Sequence, residues 1–182
     1  MNGPKALLRF GERSFLAQAG HLLRRPEVER VWAVLGSDAD RVRVECGDPD
    51  LHFVLNEDWA SGMLTSVWAG LAQAERHGAT AVLVHPVDHP AVSALCVDRL
   101  LGALEGGARI AVPTWDSRRG HPAGFARETW PALRAAKLER GARAVLADHA
   151  EWVVHVPGDP GCVLGVNTPE EYARVLRLQV AT

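Results

Sequence analysis

Strand-like and helix-like patterns alternate along the whole of this 182-residue chain. Residues 79–84 are apolar apart from Thr80 and lie between Gly78 and Pro86, which is typical of a strand covered on both faces. Residues 31–35 and 51–55 predict further short strands, and helical patterns separate them. Such alternation with short connections predicts an α/β fold with mostly parallel strands. We therefore expect a single domain over residues 1–182.

The remaining elements follow from the same periodicities. Helices are predicted near residues 15–23, 38–44, 61–74, 97–104, 130–137 and 142–148. Strands are predicted at residues 109–112, 152–156 and 162–166, and a hairpin at residues 114–125. Thr168, Pro169 and Glu171 predict a capped start for the last helix, because threonine, proline and glutamate occupy the positions of a capping box.

Composition excludes several classes of protein. Twenty basic and 22 acidic residues give a formal charge of −2, which argues against a nucleic-acid binder held by bulk charge. No apolar run approaches the roughly 20 residues of a membrane span, and the first residues lack the apolar core of a signal peptide. The scattered cysteines, Cys46, Cys96 and Cys162, indicate reduced thiols in a cytoplasmic protein.

Chemistry is expected at the carboxyl ends of the strands, where ligands bind in open α/β sheets. The segment His85-Pro86-Val87-Asp88-His89-Pro90 follows the most apolar strand. A transition-metal site of His85, Asp88 and His89 is one interpretation, but the prolines exclude the helix that would put both histidines on one face. Asp88 alone is a second candidate, as a ligand of Mg²⁺ beside substrate phosphates. The third interpretation is an aspartate that stabilises a turn.

Two further segments have both a functional and a structural interpretation. Lys5, in a loop with glycine and proline, could reach a phosphate as a point charge. Residues 56–66 join a strand end to a helix start, where free N–H groups favour anions and Gly62 lets the backbone approach a ligand. Ser61 could equally be a helix cap, and Met63 could be part of the core.

The hairpin and the last helix carry weaker signals. Arg118, Arg119 and His121 surround Gly120 and could grip a second, anionic substrate, or they could form a solvated hairpin tip. Asn167 could cap the last helix or offer its carbonyl oxygen to a water or a metal. The motifs of P-loop proteins, dinucleotide-binding Rossmann enzymes and serine hydrolases are absent from the sequence.

Taken together and in order, these segments resemble the nucleotidyltransferases of the MobA/MocA type, which join a nucleotide to molybdopterin. The matching stretches run from the first residues to the last helix. They are Gly3-Pro4-Lys5-Ala6-Leu7-Leu8, Val34-Leu35-Gly36, Asn56 with Trp59 and residues 62–66, Asp88-His89-Pro90, Arg119-Gly120-His121-Pro122 and Asn167-Thr168-Pro169-Glu170.

The resemblance implies a three-layer, Rossmann-like fold and transfer of a nucleotide from CTP or GTP to a phosphate acceptor such as molybdopterin. It implies that Lys5 holds nucleotide phosphate and that Asp88 binds Mg²⁺. It also places Arg119 and His121 on the acceptor side. Further nucleotide-binding residues implied by the family are Gly36, Asn56, Gly62, Met63 and Ser66. The macromolecular partners it suggests are a molybdoenzyme or a second copy of the chain, with no nucleic acid or membrane.

The sequence departs from the family at one place. The family begins with a strand and a loop of the type L-A-A-G-x-S-x-R-M-G before the Pro-Lys, and here only Met1 and Asn2 stand there. Three explanations are open: a start assigned at an internal methionine, a catalytically silent relative, or a strand supplied by a partner chain. The alternative functions are accordingly a transferase for sugar phosphates or other small molecules, and a nucleotide-binding or accessory domain without catalysis.

Overall fold

The computed structural model describes residues 3–179. Met1 and Asn2, where the resemblance places the end of the family's loop, lie outside that range. The helices are α1 (Phe15–Leu23), α2 (Ala39–Glu45), α3 (Met63–Arg76), α4 (Ala94–Glu105), α5 (Trp130–Ala135), α6 (Arg143–Asp148) and α7 (Pro169–Gln179). The strands are β1 (Arg9–Phe10), β2 (Arg13–Ser14), β3 (Trp32–Leu35), β4 (His52–Leu55), β5 (Ala81–Val84), β6 (Ile110–Trp115), β7 (Arg118–Arg119), β8 (Ala123–Ala126) and β9 (Val153–Pro157).

The larger sheet has the order β5–β8–β6–β9, and β7 forms a hairpin with the end of β6. Strand β8 is antiparallel to both of its neighbours, whereas β6 and β9 pair in parallel. Strands β5, β6 and β9 therefore share one direction. Strands β3 and β4 form a separate parallel pair, in register from Trp32 opposite His52 to Leu35 opposite Leu55.

Helices cover both faces of the sheet, as the alternating side chains of β6 show. Ile110 and Val112 pack into a core with α3, α5 and α6, whereas Ala111 between them packs into a second core with α1 and α4. Alternate residues of a strand point to opposite faces, so an apolar residue at each position needs a helix layer on each side. The predicted three-layer α/β fold is confirmed.

Most of the predicted elements are present, but the strand predicted at residues 162–166 is wrong. A 3₁₀-helix occupies Pro160–Val163 instead. The carboxylate of Asp159 accepts a hydrogen bond from the backbone N–H of Cys162, 3.2 Å away, and this cap turns the chain. The capping box of α7 is confirmed, since Thr168 and Glu171 exchange side-chain-to-backbone hydrogen bonds of 3.2 and 3.0 Å. Within residues 3–179, none of the helices has the length and apolarity to span a bilayer.

The packing of α4 gives a test of the core. Leu100 is fully buried among residues of α1, β6 and β9, whereas Leu95 on the same helix is 54% exposed. We expect Leu100→Ala to lower the free energy of unfolding by about 2–5 kcal/mol, because it leaves a cavity between the helix layer and the sheet. The matched control Leu95→Ala should change it by less than about 0.5 kcal/mol. Urea denaturation followed by circular dichroism measures both, and equal losses would contradict this account of the core.

Candidate functional site

Two distant parts of the chain meet the loop after β5 at the carboxyl edge of the sheet. The Nζ atom of Lys5 donates a hydrogen bond to Oδ1 of Asn167 at 2.7 Å and lies 3.8 Å from Oδ2 of Asp88. The carboxylate of Asp88 is 24% exposed, so solvent and ligands can reach it. The structure thus brings together Lys5 and Asp88, as the resemblance implies, and adds Asn167.

The backbone around Asp88 is held in place on both sides. Its carbonyl oxygen accepts a hydrogen bond from the N–H of Val166 at 2.9 Å, which ties the loop to the segment before α7. The N–H of His89 donates to the carbonyl oxygen of Pro86 at 3.3 Å and closes a turn. Both prolines of the segment restrict the backbone further. Asp88 therefore presents its carboxylate from a fixed loop.

Three histidines surround Asp88 in this region: His85 and His89 belong to the same loop, and His121 comes from the hairpin. The ring of His121 packs edge-on against that of His89, with centroids 4.9 Å apart, and Nε2 of His89 is 4.0 Å from Oδ1 of Asp88. Burial lowers the pKa of His85 to about 3 and that of His121 to about 4, and in both cases the charge of His89 adds to the effect. Burial also lowers the pKa of His89, against the opposing charge of Asp88. The histidines are therefore neutral at pH 7.

The site residues do not form a protein-only metal cage. Within residues 3–179, no group of three or more histidine, cysteine, aspartate or glutamate side chains is placed to hold a metal ion. The transition-metal interpretation of His85, Asp88 and His89 is thus not supported there. The single carboxylate of Asp88 suits Mg²⁺, which is usually bound by one or two carboxylates together with waters and substrate phosphates.

Asn56 joins the end of β4 to the start of α3. It is buried, and its Nδ2 donates hydrogen bonds to Thr65 Oγ1 at 2.8 Å and Ser66 Oγ at 3.0 Å. Its Oδ1 accepts from the backbone N–H of Asp58 at 3.1 Å. The side-chain amide therefore fixes the loop that enters α3, and Thr65, which the sequence analysis did not single out, belongs to the same cluster.

The loop before α3 exposes its apolar side chains. Helix α3 begins at Met63 with Gly62 as its cap, so the alternative of Ser61 as the helix cap is wrong. Gly62 has φ +120°, a conformation that residues with a Cβ rarely adopt. Met63 is 71% exposed and Trp59 is 49% exposed, so the core alternative for Met63 is also wrong. Gly36 is required because a Cβ there would overlap the side chain of Trp59.

The hairpin after β6 is confirmed, with its tip at Asp116 and Ser117, which both have positive φ. Arg119 is exposed on β7, opposite Thr114. His121 lies at the base of the hairpin, where its backbone N–H donates a hydrogen bond to the carbonyl oxygen of Cys162 at 2.8 Å. The structure therefore brings His121 to the Asp88 cluster through His89, whereas Arg119 stands apart from it on an exposed strand.

Comparison with known proteins identifies the family. The MobA-like NTP transferase domain matches residues 1–153. The chain belongs to the MobA-like NTP transferase family. The molybdenum cofactor guanylyltransferase of Rhizobium meliloti (strain 1021) is 33% identical to this chain, in an alignment that covers 94% of this chain and 82% of that protein. The nicotine blue oxidoreductase of Paenarthrobacter nicotinovorans is 31% identical to this chain, in an alignment that covers 96% of this chain and 88% of that protein.

Solved structures share the fold of this MobA-like domain. Rv0371c from Mycobacterium tuberculosis H37Rv superimposes with a TM-score of 0.85 at 23% identity, covering 97% of this chain and 90% of that one. A complex of Rv0371c with manganese superimposes with a TM-score of 0.76 at 24% identity, covering 96% and 91% of the two chains. These likenesses establish the architecture, and the manganese belongs to that protein.

The buried histidines of the MobA-like domain predict how its stability depends on pH. Because the pKa values of His85 and His121 are lowered from 6.5 to about 3 and about 4, the unfolded chain binds more protons than the folded chain between those values and pH 6.5. Stability should therefore fall as the pH is lowered from about 6.5 towards 4. Urea midpoints at several pH values measure this slope. His85→Gln should flatten it, whereas the exposed-site control His155→Gln should not.

Proposed function

We propose that this chain transfers a nucleotide from CTP or GTP to the phosphate of molybdopterin and releases pyrophosphate. The observation that supports this most directly is the placement of Lys5 and Asp88, whose charged groups lie 3.8 Å apart at the carboxyl edge of the sheet. A cation for phosphate and a carboxylate for a metal are the protein groups that nucleotidyl transfer needs. The likeness to a molybdenum cofactor guanylyltransferase supports the choice of acceptor and favours GTP.

In the proposed reaction, a phosphate oxygen of the acceptor attacks the α-phosphorus of the nucleotide. A new P–O bond forms as the bond between the α-phosphorus and the bridging oxygen of the β-phosphate breaks. Pyrophosphate leaves with the electron pair of that bond. Little covalent chemistry is required of the protein, which acts by holding the groups in line and neutralising charge.

Lys5 would bind the phosphates of the nucleotide as a point charge. Its hydrogen bond to Asn167 and its ion pair with Asp88 hold the ammonium group in place. Lys5 and Asn167 come from opposite ends of the described chain, 162 positions apart. Asp88 would hold Mg²⁺, which supplies positive charge to the phosphates when it is bound. Asn167 is then a positioning residue for Lys5.

The loop between β4 and α3 would bind the nucleoside. Gly62 has open space where a side chain would stand, and the exposed side chain of Met63 offers an apolar surface beside it. Asn56 and Ser66 hold the loop in shape through their hydrogen bond. Gly36 would contribute backbone next to Trp59.

Arg119 and His121 would bind the acceptor. Arg119 is exposed on the hairpin and has a guanidinium group that suits an anionic substrate. His121, neutral at pH 7 through burial, would contact the acceptor as a hydrogen-bonding group.

The role of Asp88 can be tested by a change that keeps its shape. Asp88→Asn should lower the rate of pyrophosphate release from GTP or CTP with Mg²⁺ and molybdopterin by ~100-fold or more, because the amide removes the charge that holds the metal. The control Asp40→Asn, at an exposed position on α2, should keep the wild-type rate. Thermal denaturation of both variants verifies that they fold.

The outcomes separate the alternatives. Pyrophosphate release with sugar phosphates but not with molybdopterin would contradict molybdopterin as the acceptor. The assignment as a nucleotidyltransferase would still hold. Absence of both nucleotide binding and pyrophosphate release from the wild-type chain would favour the accessory domain without catalysis. An Asp88→Asn variant with full activity would contradict the assignment of Asp88.

An oxidoreductase is the second candidate, favoured by the likeness to nicotine blue oxidoreductase over 96% of this chain. Our proposal expects no oxidation of NADH or NADPH when the chain is incubated with nicotine blue. Absorbance at the nicotinamide wavelength measures this, and pyrophosphate is assayed in parallel with the nucleotide substrates. Cofactor oxidation without any pyrophosphate release would replace the transferase proposal by the oxidoreductase.

A further inference from the structure

Two buried cysteines meet in the core between α4 and the sheet. Cys96 of α4 and Cys162 of the 3₁₀-helix at Pro160–Val163 belong to one core cluster, and neither exposes more than 1% of its surface. Both are free thiols. The thiol of Cys96 donates a hydrogen bond to the sulfur of Cys162. The two sulfurs are therefore in contact, and the proposed nucleotidyl transfer uses neither of them.

Each cysteine stands three residues after the residue that caps its helix. Ser93 caps α4, and its Oγ accepts a hydrogen bond from the backbone N–H of Cys96 at 3.2 Å. Asp159 caps the 3₁₀-helix, and its Oδ1 accepts a hydrogen bond from the backbone N–H of Cys162, also at 3.2 Å. The two side chains thus leave the first turns of two helices from equivalent positions.

The two caps are hydrogen-bonded to each other. The backbone N–H and the hydroxyl of Ser93 donate to Oδ2 of Asp159 at 3.1 and 2.7 Å. One carboxylate therefore ties the start of α4 to the start of the 3₁₀-helix. The thiols lie side by side because backbone contacts hold them there, and not only through the weak hydrogen bond of a thiol.

Two glycines leave room for the sulfur of Cys162. A Cβ on Gly120 would lie 2.7 Å from this sulfur, and a Cβ on Gly158 would lie 2.6 Å from it, which is closer than a side chain can approach. The backbone of the hairpin and the backbone after β9 therefore pack directly against the sulfur. This packing confines the sulfur of Cys162 beside that of Cys96.

The surroundings make Cys162 the more acidic of the two thiols. Its pKa is lowered, chiefly because its sulfur accepts the hydrogen bond from Cys96, and the charge of Arg118 adds to the effect against burial and the carboxylate of Asp159. The pKa of Cys96 is raised, because its proton is held in that hydrogen bond and because it is buried. Since the thiolate is the reactive form, Cys162 is the sulfur that reacts first.

We propose that Cys96 and Cys162 form a reversible disulfide when the folded chain meets a peroxide. The thiolate of Cys162 attacks one oxygen of hydrogen peroxide, an S–O bond forms as the O–O bond breaks, and the leaving hydroxide takes up a proton to become water. The sulfur of Cys96 then attacks the sulfenic acid of Cys162. An S–S bond forms as the S–O bond breaks, and the thiol proton of Cys96 converts the leaving hydroxide into a second water. The sulfurs lose two electrons and the peroxide gains them.

Peroxide reaches this buried pair through a local opening of the structure. The hydrogen bonds between Ser93 and Asp159 lie at the surface, so the short 3₁₀-helix is the part that opens most readily. The disulfide would join α4 to the segment whose Cys162 carbonyl oxygen holds the backbone N–H of His121. This inference is independent of the proposed function, because it concerns the two thiols and not the transfer of a nucleotide.

Cys46 supplies an internal control. It is buried to a similar degree, with 3% of its surface exposed, but it lies in a different core cluster. Its thiol donates to the backbone carbonyl oxygen of Arg43, 3.8 Å away, in its own helix. General oxidation of buried thiols would reach Cys46 as well, whereas a reaction that depends on the paired geometry leaves it reduced.

The test treats the reduced full chain with hydrogen peroxide under native conditions. Free thiols, counted after denaturation, should fall from the three cysteines of the chain to one, with loss of the mass of two hydrogen atoms. Unreduced proteolytic peptides should be linked through Cys96 and Cys162, and dithiothreitol should restore every thiol. The control variant Cys46→Ala should keep no free thiol after oxidation, and Cys96→Ala should form no disulfide within the chain.

Three results would overturn the proposal, and all are read from the unmutated chain. The first is a native chain that keeps all its thiols for a time in which the urea-unfolded chain is oxidised. The second is linked peptides that contain Cys46, or dimers joined by a disulfide on a non-reducing gel. The third is a sulfinic acid at Cys162 without a disulfide, which would mean that Cys96 does not attack the sulfenic acid.

Discussion

The layers of this fold depend on one strand, β6, which is hydrogen-bonded to β8, β9 and β7. Its successive side chains pack into two different cores, so β6 joins the helices on one face of the sheet to those on the other. The hairpin that follows it carries Arg119 and, at its base, His121. The position of these two residues, which we propose bind the acceptor, therefore depends on the register of β6 with its neighbours. A slip of one residue would exchange the two faces and move the hairpin as well.

The candidate site is assembled from contacts that link the ends of the chain to its middle. Asn167, next to the cap of α7, holds Lys5, and the backbone of Val166 holds the loop of Asp88. Each of these contacts is polar and lies at the carboxyl edge of the sheet. The cores beneath are apolar and fix the elements, whereas the polar contacts fix the functional groups. The geometry of the site thus depends on residues near both ends of the described chain, including residues that would not themselves contact a ligand.

Local sequence patterns predicted the helices and most strands, because the periodicity and the capping residues that define these elements lie within a few neighbouring residues. The capping box of Thr168 and Glu171 is one case, since both partners lie within one turn. The strand predicted at residues 162–166 failed because an apolar run does not reveal the cap from Asp159. The contact of Lys5 with Asn167 joins residues 162 positions apart, and no periodicity indicates it. Local context made Lys5 and Asp88 candidates, each beside a structural alternative, and the resemblance to a family assigned their roles. The packing of His121 on His89 came from the structure.

The neutral histidines determine the charge that a nucleotide meets. Burial lowers the pKa of each of His85, His89 and His121, so none adds positive charge near Asp88 at pH 7. Lys5 is then the cation that lies beside the carboxylate, and the charges of the two groups cancel. A triphosphate carries several negative charges, which this pair cannot neutralise. The site is therefore suited to a nucleotide that arrives with its own divalent cation, and the partly exposed carboxylate of Asp88 is the group that would receive that cation.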